Sequence, residues 1–371
     1  MNFDFHTISE PTLLLKAGIA IKQIARMSEK AQKNGVIFRP HFKTHQSAEV
    51  AEWFREFGTT KITVSSLAMA EYFAAHNWRD ITLAFSVNPR QIKTIDALAK
   101  KIKLNLLIEN TEVAESLVSH LKSQAGIFIK IDTGYHRTGL PWDASEKVLK
   151  LIKIIENCPN LHFKGLLAHS GHSYKSTSKE QILKVYDATV ERLTNLKSNI
   201  EKSYAKDFIL SIGDTPCCSI VEKFAGIDEI RPGNFVFYDV MQYQLNACTT
   251  EDIALTMACP VVAKHESRQQ IVIHGGAVHL SKDSLLINNK IKHFGLVVPL
   301  SDDEGWGEVY KNSYVCSVSQ EHGIIQAENE LFESTQIGDL VGILPVHSCL
   351  AVNLMKSYIT CEGTKITIPH L

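Results

Sequence analysis

The first two-thirds of the chain alternates between short runs rich in β-branched and aliphatic residues and longer amphipathic segments. The first segment, over about 13–34, has a helical pattern, and helical patterns also separate the runs that follow. Those runs are VIFRP (36–40), KITVS (61–65), ITLAF (81–85), KLNLLI (103–108), IFIKID (127–132), HFKGLLA (162–168), DFILSI (207–212) and DEIR (228–231). Eight strands alternating with helices in roughly 220 residues predict a closed parallel (β/α)8 barrel. A doubly wound open sheet is the alternative.

The pattern changes after about residue 240. Short β-rich runs joined by turns then follow one another with little helix, namely MACPVVAKHE, QQIVIHGG, HFGLVV, YVCSVSQEHG and DLVGILPV. Such a succession is typical of an all-β domain. We therefore predict two domains, a barrel over 14–245 and a mainly β domain over 246–371 that also takes in 1–13.

Charge and hydropathy limit the class of partner. Lys and Arg number 39 against 40 Asp and Glu, with no basic stripe, so neither a nucleic acid nor an anionic membrane is expected. No stretch approaches 18 apolar residues, and the N-terminal run is too short for a signal peptide. The eight cysteines form no disulfide framework. We expect a cytoplasmic protein that acts on a small molecule.

Polar clusters follow five of the eight predicted strands. Barrel enzymes carry catalytic groups at the carboxyl ends of their strands and often hold phosphate after strands seven and eight. The clusters are Lys43 after strand one, Asp132 and Arg137 after strand five, His169, His172 and Tyr174 after strand six, Gly213, Asp214 and Thr215 after strand seven, and Arg231, Gly233 and Asn234 after strand eight. All of them are expected on one face of the barrel.

Two of these clusters suggest a definite chemistry. Lys43 lies in RPHFKTH, where a partly desolvated lysine near other cations would have a lowered pKa, which suits Schiff-base formation and proton abstraction. Gly213 and Thr215 lie before a helix, whose N-terminal N–H groups bind anions. A solvated lysine and an N-capped turn are the plainer alternatives.

Six motifs together carry a family resemblance. RPHFKTH, KIDTGYHRTG, LLAHSGHSY, SIGDTPCCS, EIRPGNFVFYD and PVHSC occur in this order over nearly the whole chain. They resemble the D-serine dehydratase and D-threonine aldolase family, which is related to alanine racemase and comprises fold-type III pyridoxal-phosphate enzymes. The resemblance implies that pyridoxal 5'-phosphate is bound as a Schiff base on Lys43.

The resemblance also implies how the cofactor is held. It places Gly233 and Asn234 on the phosphate, which would converge with Gly213 and Thr215 on one anion. It places Arg231 at the pyridine nitrogen, Arg137 near the phenolic oxygen and His169 against the ring, and Tyr174 is expected to contact the cofactor or act as an acid. The role of His172 stays open. A guanidinium cannot accept a proton, so a pyridine nitrogen facing Arg231 stays unprotonated and the cofactor is a weaker electron sink.

A metal motif is the second constellation. His347 and Cys349 are two apart in LPVHSCLAV, so in a strand both side chains would point to one face. One imidazole and one thiolate suit zinc, and two protein ligands leave positions open for water and substrate. A buried free cysteine beside a histidine is the alternative, and resemblance to the family's metal motif favours zinc.

The resemblance implies a lyase that eliminates water from a D-3-hydroxy amino acid, with D-serine as the leading candidate and pyruvate and ammonia as products. Zinc would act on the β-hydroxyl and so compensate for the weaker electron sink. D-threonine aldolase is the nearest alternative, but the aldolases resemble His-x-Asp at the metal, whereas this chain has His-x-Cys. An amino acid racemase and a non-catalytic cofactor-binding protein are further alternatives. We expect a homodimer, as in related enzymes.

Overall fold

The computed structural model describes residues 4–288, 290–301 and 305–369. The strands of the described residues are β1 (Thr12–Leu15), β2 (Ile37–Phe38), β3 (Lys61–Val64), β4 (Asp80–Ser86), β5 (Lys103–Ile108), β6 (Ala125–Asp132), β7 (Leu140–Pro141), β8 (Leu161–Ala168), β9 (Ile209–Ile212), β10 (Glu229–Ile230), β11 (Leu255–His265), β12 (Gln270–His274), β13 (Leu285–Ile287), β14 (Ile291–His293), β15 (Gly295–Val298), β16 (Leu300–Ser301), β17 (Gly305–Trp306), β18 (Tyr314–Val318), β19 (His322–Gln326), β20 (Leu340–Pro345), β21 (Ser357–Thr360) and β22 (Lys365–Thr367).

The α-helices of the described residues are α1 (Ala17–Lys33), α2 (Ala48–Glu56), α3 (Leu67–Ala75), α4 (Ile92–Ala99), α5 (Thr111–His120), α6 (Ser145–Glu156), α7 (Lys179–Glu201), α8 (Thr215–Ile220), α9 (Val240–Gln244), α10 (Ala277–Leu280), α11 (Asn329–Ser334) and α12 (Ser348–Met355). From α8 onward these helices have eight residues or fewer. Across the ranges that the structure describes, no helix is both long and apolar enough to cross a membrane.

The chain forms two compact units. The barrel unit comprises Ala25–Lys43 and Ala51–Gly233, and the β unit comprises Met1–Ile24, Thr44–Val50 and Asn234–His370. Residues 14–24, 44–50 and 234–245, which the sequence pattern assigned to the barrel domain, therefore group with the β unit. The chain crosses from one unit to the other directly after Lys43 and directly after Gly233.

The barrel unit is built on a parallel sheet with the order β2-β10-β9-β8-β6-β5-β4-β3, and β7 is added beside β6. Beyond the end of β2, the Phe42 N–H donates to the Thr63 carbonyl at 2.9 Å and the Thr63 N–H donates to the Pro40 carbonyl at 2.9 Å. These bonds join the first strand to β3 and close the ring. The predicted barrel is thus confirmed, and the open doubly wound sheet is wrong. Each of the eight predicted runs coincides with a strand.

A chain of buried ionic groups crosses the barrel interior. Arg39, just past β2, donates from Nε to Glu229 on β10 at 2.7 Å and from Nη1 to Asp80 on β4 at 2.6 Å. The Glu229 carboxylate also accepts from Ser211 Oγ at 2.6 Å. Glu229 is fully buried, so its charge is stabilised by these partners rather than by water.

An aromatic cluster anchors the segment before Lys43. The ring of Phe42 is fully buried and lies 4.9 Å from Phe54, 5.0 Å from Phe73 and 5.0 Å from Trp78, measured between ring centroids. Edge-to-face and tilted contacts at this spacing are favourable beyond the area that they bury. The backbone at Phe42 is therefore held both by the packing of its ring and by the bonds to Thr63.

The β unit is mainly antiparallel, with the sheet order β12-β19-β18-β15-β20-β11-β1-β21-β22 and a further pairing between β12 and β11. The predicted mainly β C-terminal domain is confirmed. Thr12–Leu15 pairs antiparallel with Leu255–Ala258, so the N-terminal strand belongs to this sheet. The predicted helical start at Leu13 is wrong, because these aliphatic residues pair in a sheet and the helix begins only at Ala17.

Replacing Glu229 by Gln tests the buried ionic chain. The neutral side chain leaves the Arg39 guanidinium with one carboxylate instead of two, and breaking a buried pair costs about 3–5 kcal/mol. We expect a loss of this order in the free energy of unfolding, measured by urea denaturation. Lys103→Ala removes only an exposed ammonium 3.0 Å from Asp80 and serves as the control, with an expected loss below about 1 kcal/mol. Equal losses for both variants would contradict the interpretation.

Candidate functional site

Lys43 lies just past β2, where the buried ring of Phe42 and the bonds to Thr63 hold its backbone. Its own side chain is exposed, so the predicted partial burial is wrong. Its backbone N–H donates to His41 Nδ1 at 3.3 Å. The structure therefore presents a solvent-exposed amine on a backbone held by its neighbours, so the amine is accessible to a ligand.

His169 lies where several barrel cations converge. Its Nδ1 hydrogen-bonds with the carbonyl of Gly213, which fixes the ring. Burial lowers the pKa of His169 well below its usual value, and the charges of Lys130, Lys43 and Arg137 lower it further. His169 is therefore neutral at physiological pH and can pack against a ligand ring without carrying charge.

Lys130 is the barrel residue that the sequence reasoning missed. It lies on β6, two residues before Asp132, and only 5% of its surface is exposed. Burial lowers its pKa to about 7, and the charges of Arg231 and Arg137 act in the same direction. The period-2 pattern of IFIKID could have indicated this inward position, since Lys130 is in phase with the buried Phe128.

Arg231 is held rigidly inside the barrel. Its Nε donates to Ser211 Oγ at 2.7 Å and its Nη2 donates to the Ala168 carbonyl at 2.6 Å. Burial lowers its pKa to about 10, so the guanidinium stays charged at neutral pH. Its partners lie on β8 and β9, which places a fixed cation at the ends of three neighbouring strands.

The loop after β9 fits an anion. A Cβ at Gly213 would lie 2.9 Å from both Cβ and the carbonyl oxygen of Arg231, so only glycine allows this close approach. Asp214 caps α8 by accepting from the Cys217 N–H at 2.8 Å, as the plainer alternative for this motif proposed. The Thr215 N–H donates to the hydroxyl of Tyr174 at 3.3 Å, and Thr215 Oγ1 is buried without a hydrogen-bond partner among the described residues. A buried, unpaired hydroxyl is the feature that a bound phosphate would satisfy.

Asn234 lies in the β unit, directly after Gly233. Its side-chain NH2 group donates to Asp239 Oδ2 at 2.6 Å and to Ser348 Oγ at 2.9 Å, and it approaches Cys349 Sγ at 3.7 Å. The side chain therefore supports the metal motif. The phosphate contact of Gly233 and Asn234 stays a prediction. Because the side-chain NH2 group of Asn234 is already used, its backbone N–H is the group left for that contact.

His347 and Cys349 do not lie on a strand, so that part of the prediction is wrong. β20 ends at Pro345, His347 immediately precedes α12, and Cys349 is the second residue of that helix. The helical turn nevertheless brings the two side chains into contact. Burial alone would lower the pKa of His347, but its bonds to Asp283 and to Cys349 outweigh that effect and raise the pKa to about 11.

The surroundings of Cys349 suit a metal-bound sulfur. The side chain is buried, with Sγ 3.3 Å from the Thr44 hydroxyl and 3.7 Å from Asn234 Nδ2, and both groups can donate to a thiolate. Asp239 accepts from the Ser348 N–H at 3.0 Å and so holds the first turn of α12. An imidazole and a thiol two residues apart, with polar groups facing the sulfur, fit a zinc-type ion that keeps open positions.

A second group of potential ligands lies elsewhere in the β unit. One ligand atom each of His274, His279 and Glu321 lies within 4.8 Å of the others. The Gly276 N–H, however, donates to His279 Nδ1 at 3.2 Å, so the neutral ring carries its proton on Nε2. That nitrogen faces Glu321 at 3.8 Å and has no lone pair for a metal. The chemistry therefore favours His347 and Cys349.

The depressed pKa of Lys130 predicts a pH-dependent stability. The unfolded chain binds this proton up to a pH of about 10.4 but the folded chain only up to about 7, so the stability of the folded state rises with pH between these values. Lys130→Met removes the free-energy cost of burying an ammonium group. The stability advantage of the variant over the wild type should fall by up to about 1.4 kcal/mol per pH unit from about pH 7 to about pH 9. Urea denaturation of cofactor-free protein measures this, and a pH-independent difference would contradict it.

Two family models match the chain. "Alanine racemase, N-terminal domain" matches residues 20–240, and "Putative serine dehydratase domain" matches residues 254–361. The D-serine dehydratase of Dictyostelium discoideum is 29% identical, with 96% of this chain and 94% of that protein covered. The D-threo-3-hydroxyaspartate dehydratase of Delftia sp. (strain HT23) is 26% identical, with 92% and 91% covered. Other relatives are named aldolases, and both dehydratases and aldolases are lyases.

A solved structure of the Delftia dehydratase has the same fold, with a TM-score of 0.91, 24% identity and 99% of each chain covered. A mutant of that protein in which alanine replaces a cysteine was solved in the metal-free form, with a TM-score of 0.92, 24% identity and 100% of each chain covered. Because its first family model spans more than half of the residues, this chain belongs to the alanine racemase N-terminal domain family, the fold-type III pyridoxal-phosphate enzymes that include D-serine dehydratases and D-threonine aldolases.

Proposed function

We propose that this chain catalyses the elimination of water from a D-3-hydroxy amino acid, with pyridoxal 5'-phosphate and zinc as cofactors and with D-serine as the leading substrate. Pyruvate and ammonia are then the products. Thr44 directly follows Lys43 in the chain, and its hydroxyl lies 3.3 Å from Cys349 Sγ. This contact carries the proposal, because it connects the residue next to the proposed attachment lysine with a proposed metal ligand. The relatives named D-serine dehydratase support the substrate.

The residues that would hold the cofactor come mainly from the barrel unit. Lys43 supplies the amine for covalent attachment, and Gly213, Thr215 and Tyr174 supply the loop with the unpaired buried hydroxyl. Gly233 and Asn234 would add backbone donors. Arg231 would face the pyridine nitrogen, and its inability to accept a proton keeps that nitrogen neutral. Arg137 and His169 complete the set, at the phenolic oxygen and against the ring.

Bound pyridoxal phosphate makes the α-hydrogen of an attached amino acid acidic, and a bound zinc ion makes a hydroxyl a better leaving group. Lys43 Nζ would take the α-proton as general base. His347 and Cys349 would hold the ion, which would supply Lewis-acid assistance to the leaving hydroxyl. The Cα–H and Cβ–O bonds of the substrate break with loss of water, and the released enamine tautomerises to an imine, whose hydrolysis yields the keto acid and ammonia.

Aldol cleavage of D-threonine is the second candidate. A relative named D-threonine aldolase, from Arthrobacter sp., is 22% identical over 62% of this chain. In that reaction the metal would help deprotonate the β-hydroxyl, and the Cα–Cβ bond would break. The thiol of Cys349, in place of the aspartate of the aldolases, favours elimination.

We also propose a homodimer that takes a small D-amino acid and needs neither nucleic acid nor a membrane. The balance of 39 basic and 40 acidic residues supports the small-molecule partner. The proposed setting is the cytoplasm, where the eight thiols would stay reduced.

Lys43→Ala tests the cofactor assignment. The variant should lose both the visible absorbance of the Schiff base and the formation of keto acid from D-serine, because no other residue is proposed for the attachment. Borohydride reduction of the wild type followed by peptide mass spectrometry should find the cofactor on Lys43. Lys101→Ala, at an exposed lysine on the same barrel, is the control. Full activity of Lys43→Ala would refute the role of the lysine.

A separate assay distinguishes the two candidate reactions. Measuring both keto acid and aldehyde with D-serine and with D-threonine separates elimination from aldol cleavage.

Cys349→Ala tests the metal assignment. The variant should keep the cofactor absorbance and the exchange of the substrate α-proton into deuterated water, because Lys43 still acts, while product formation falls by orders of magnitude. Cys349→Asp should gain cleavage of D-threonine at the expense of D-serine dehydration. Cys316→Ala, at a half-buried thiol of the same unit, is the matched control. Full dehydratase activity in protein shown by elemental analysis to be metal-free would remove zinc from the proposal.

A further inference from the structure

Asp283 contacts the imidazole of the proposed metal ligand His347. The distance from Asp283 Oδ2 to His347 Nδ1 is 2.9 Å, which is a good hydrogen bond between a carboxylate and a ring N–H. No sequence motif drew attention to this aspartate, which lies 64 residues before its partner. The contact is formed within the β unit, since both residues belong to it.

The turn that carries Asp283 holds its backbone in a defined place. The Asp283 N–H donates to Ser281 Oγ at 3.1 Å, and the Ser281 N–H donates to the Ala277 carbonyl at 3.0 Å at the end of α10. Ser281 is buried and has a φ of 73°, a value that residues other than glycine rarely adopt. Strained backbone of this kind persists where the surrounding structure holds it, and it is concentrated at ligand sites.

The hydrogen bond selects the tautomer of His347. A carboxylate can only accept, so the ring must carry a proton on Nδ1, and a neutral ring then has its lone pair on Nε2. Nε2 is the atom through which this histidine could bind a metal. The same bond also fixes the orientation of the ring, because Nδ1 must point to Asp283.

The contrast with the second histidine group strengthens this reasoning. At His279 the Nδ1 atom accepts a backbone N–H, and the opposite tautomer results. At His347 the Nδ1 atom faces a carboxylate, and the tautomer suits a metal. Two histidines of the same unit are thus set to opposite tautomers by their neighbours.

We propose that Asp283 is the positioning residue of the metal site, holding the Nδ1–H of His347 so that Nε2 is the nitrogen that releases its proton and binds the ion. The proposal rests on the proposed function, which names His347 and Cys349 as the metal ligands. A carboxylate that hydrogen-bonds to a ligating histidine typically raises metal affinity about 10- to 100-fold. Asp283 touches neither the ion nor the substrate and acts through His347.

The test measures metal affinity directly, without turnover. Metal-stripped protein that retains its pyridoxal phosphate is titrated with Co²⁺, and binding is followed by the absorbance of the cobalt–thiolate bond to Cys349. Asp283→Ala should weaken Co²⁺ binding by about 10- to 100-fold. Asp283→Asn should weaken it less, since an amide oxygen still accepts from Nδ1–H but carries no charge. The absorbance of the bound cofactor should be unchanged in both variants.

Glu321→Gln is the matched control, because this carboxylate also faces histidines of the β unit, at 3.7 and 3.8 Å. It should bind Co²⁺ as the wild type does, and His347→Ala should not bind it. If Asp283→Ala and Asp283→Asn both bind Co²⁺ with wild-type affinity while His347→Ala does not, the role of Asp283 is overturned and the metal site stands. If His347→Ala also binds normally, or if Glu321→Gln loses the ion, the proposed metal site itself is wrong. A lower melting temperature of metal-free Asp283→Asn with unchanged Co²⁺ affinity would show a merely structural role and would also overturn the proposal.

Discussion

The buried ion pair between Arg39 and Glu229 is the interaction on which the barrel site depends. It joins the segment after the first strand to the last strand, and Asp80 extends it to a third. Removing two charges from water is costly unless good geometry and further hydrogen bonds compensate, and Ser211 supplies one of these to Glu229. Lys43 follows Arg39 by four residues, and Arg231 follows Glu229 by two. The ion pair therefore fixes the position of both strands whose ends carry these two functional side chains.

The barrel buries two cationic side chains, Lys130 and Arg231, with Glu109 and Asp132 acting on the first and Glu229 and Asp214 on the second. Burial is the largest cause of the depressed pKa values of Lys130 and His169, and the charge of Arg231 near Lys130 and that of Lys130 near His169 lower them further. A site that holds fixed positive charge in a weakly solvated interior favours an anionic ligand. The phosphate and phenolic oxygens of pyridoxal phosphate and the carboxylate of an amino acid have the charge that such a site lacks.

In the β unit, carboxylates hold the segment that carries the proposed metal ligands. Asp283 accepts from the His347 ring, and Asp239 accepts from the backbone of Ser348 between the two ligands. The ligands are thus oriented before an ion arrives, which reduces the entropy lost on binding. The segment 44–50, which begins directly after Lys43, belongs to this same unit, so the covalent chain itself links the amine of the barrel to the surroundings of Cys349.

The sequence by itself determined the eight barrel strands, the mainly β second part and the polar clusters at the strand ends, because these depend on periodicity and on order along the chain. It also identified His347 and Cys349 as a pair, although it placed them on a strand rather than at the start of a helix. Only the tertiary structure decided that Lys43 is exposed, that Lys130 is buried among cations and that Asp283 meets His347. The period-2 pattern of β6 could indicate that Lys130 points inward, but the cations around it and the contact of Asp283 with His347 join residues tens of positions apart, which no local pattern of residues encodes.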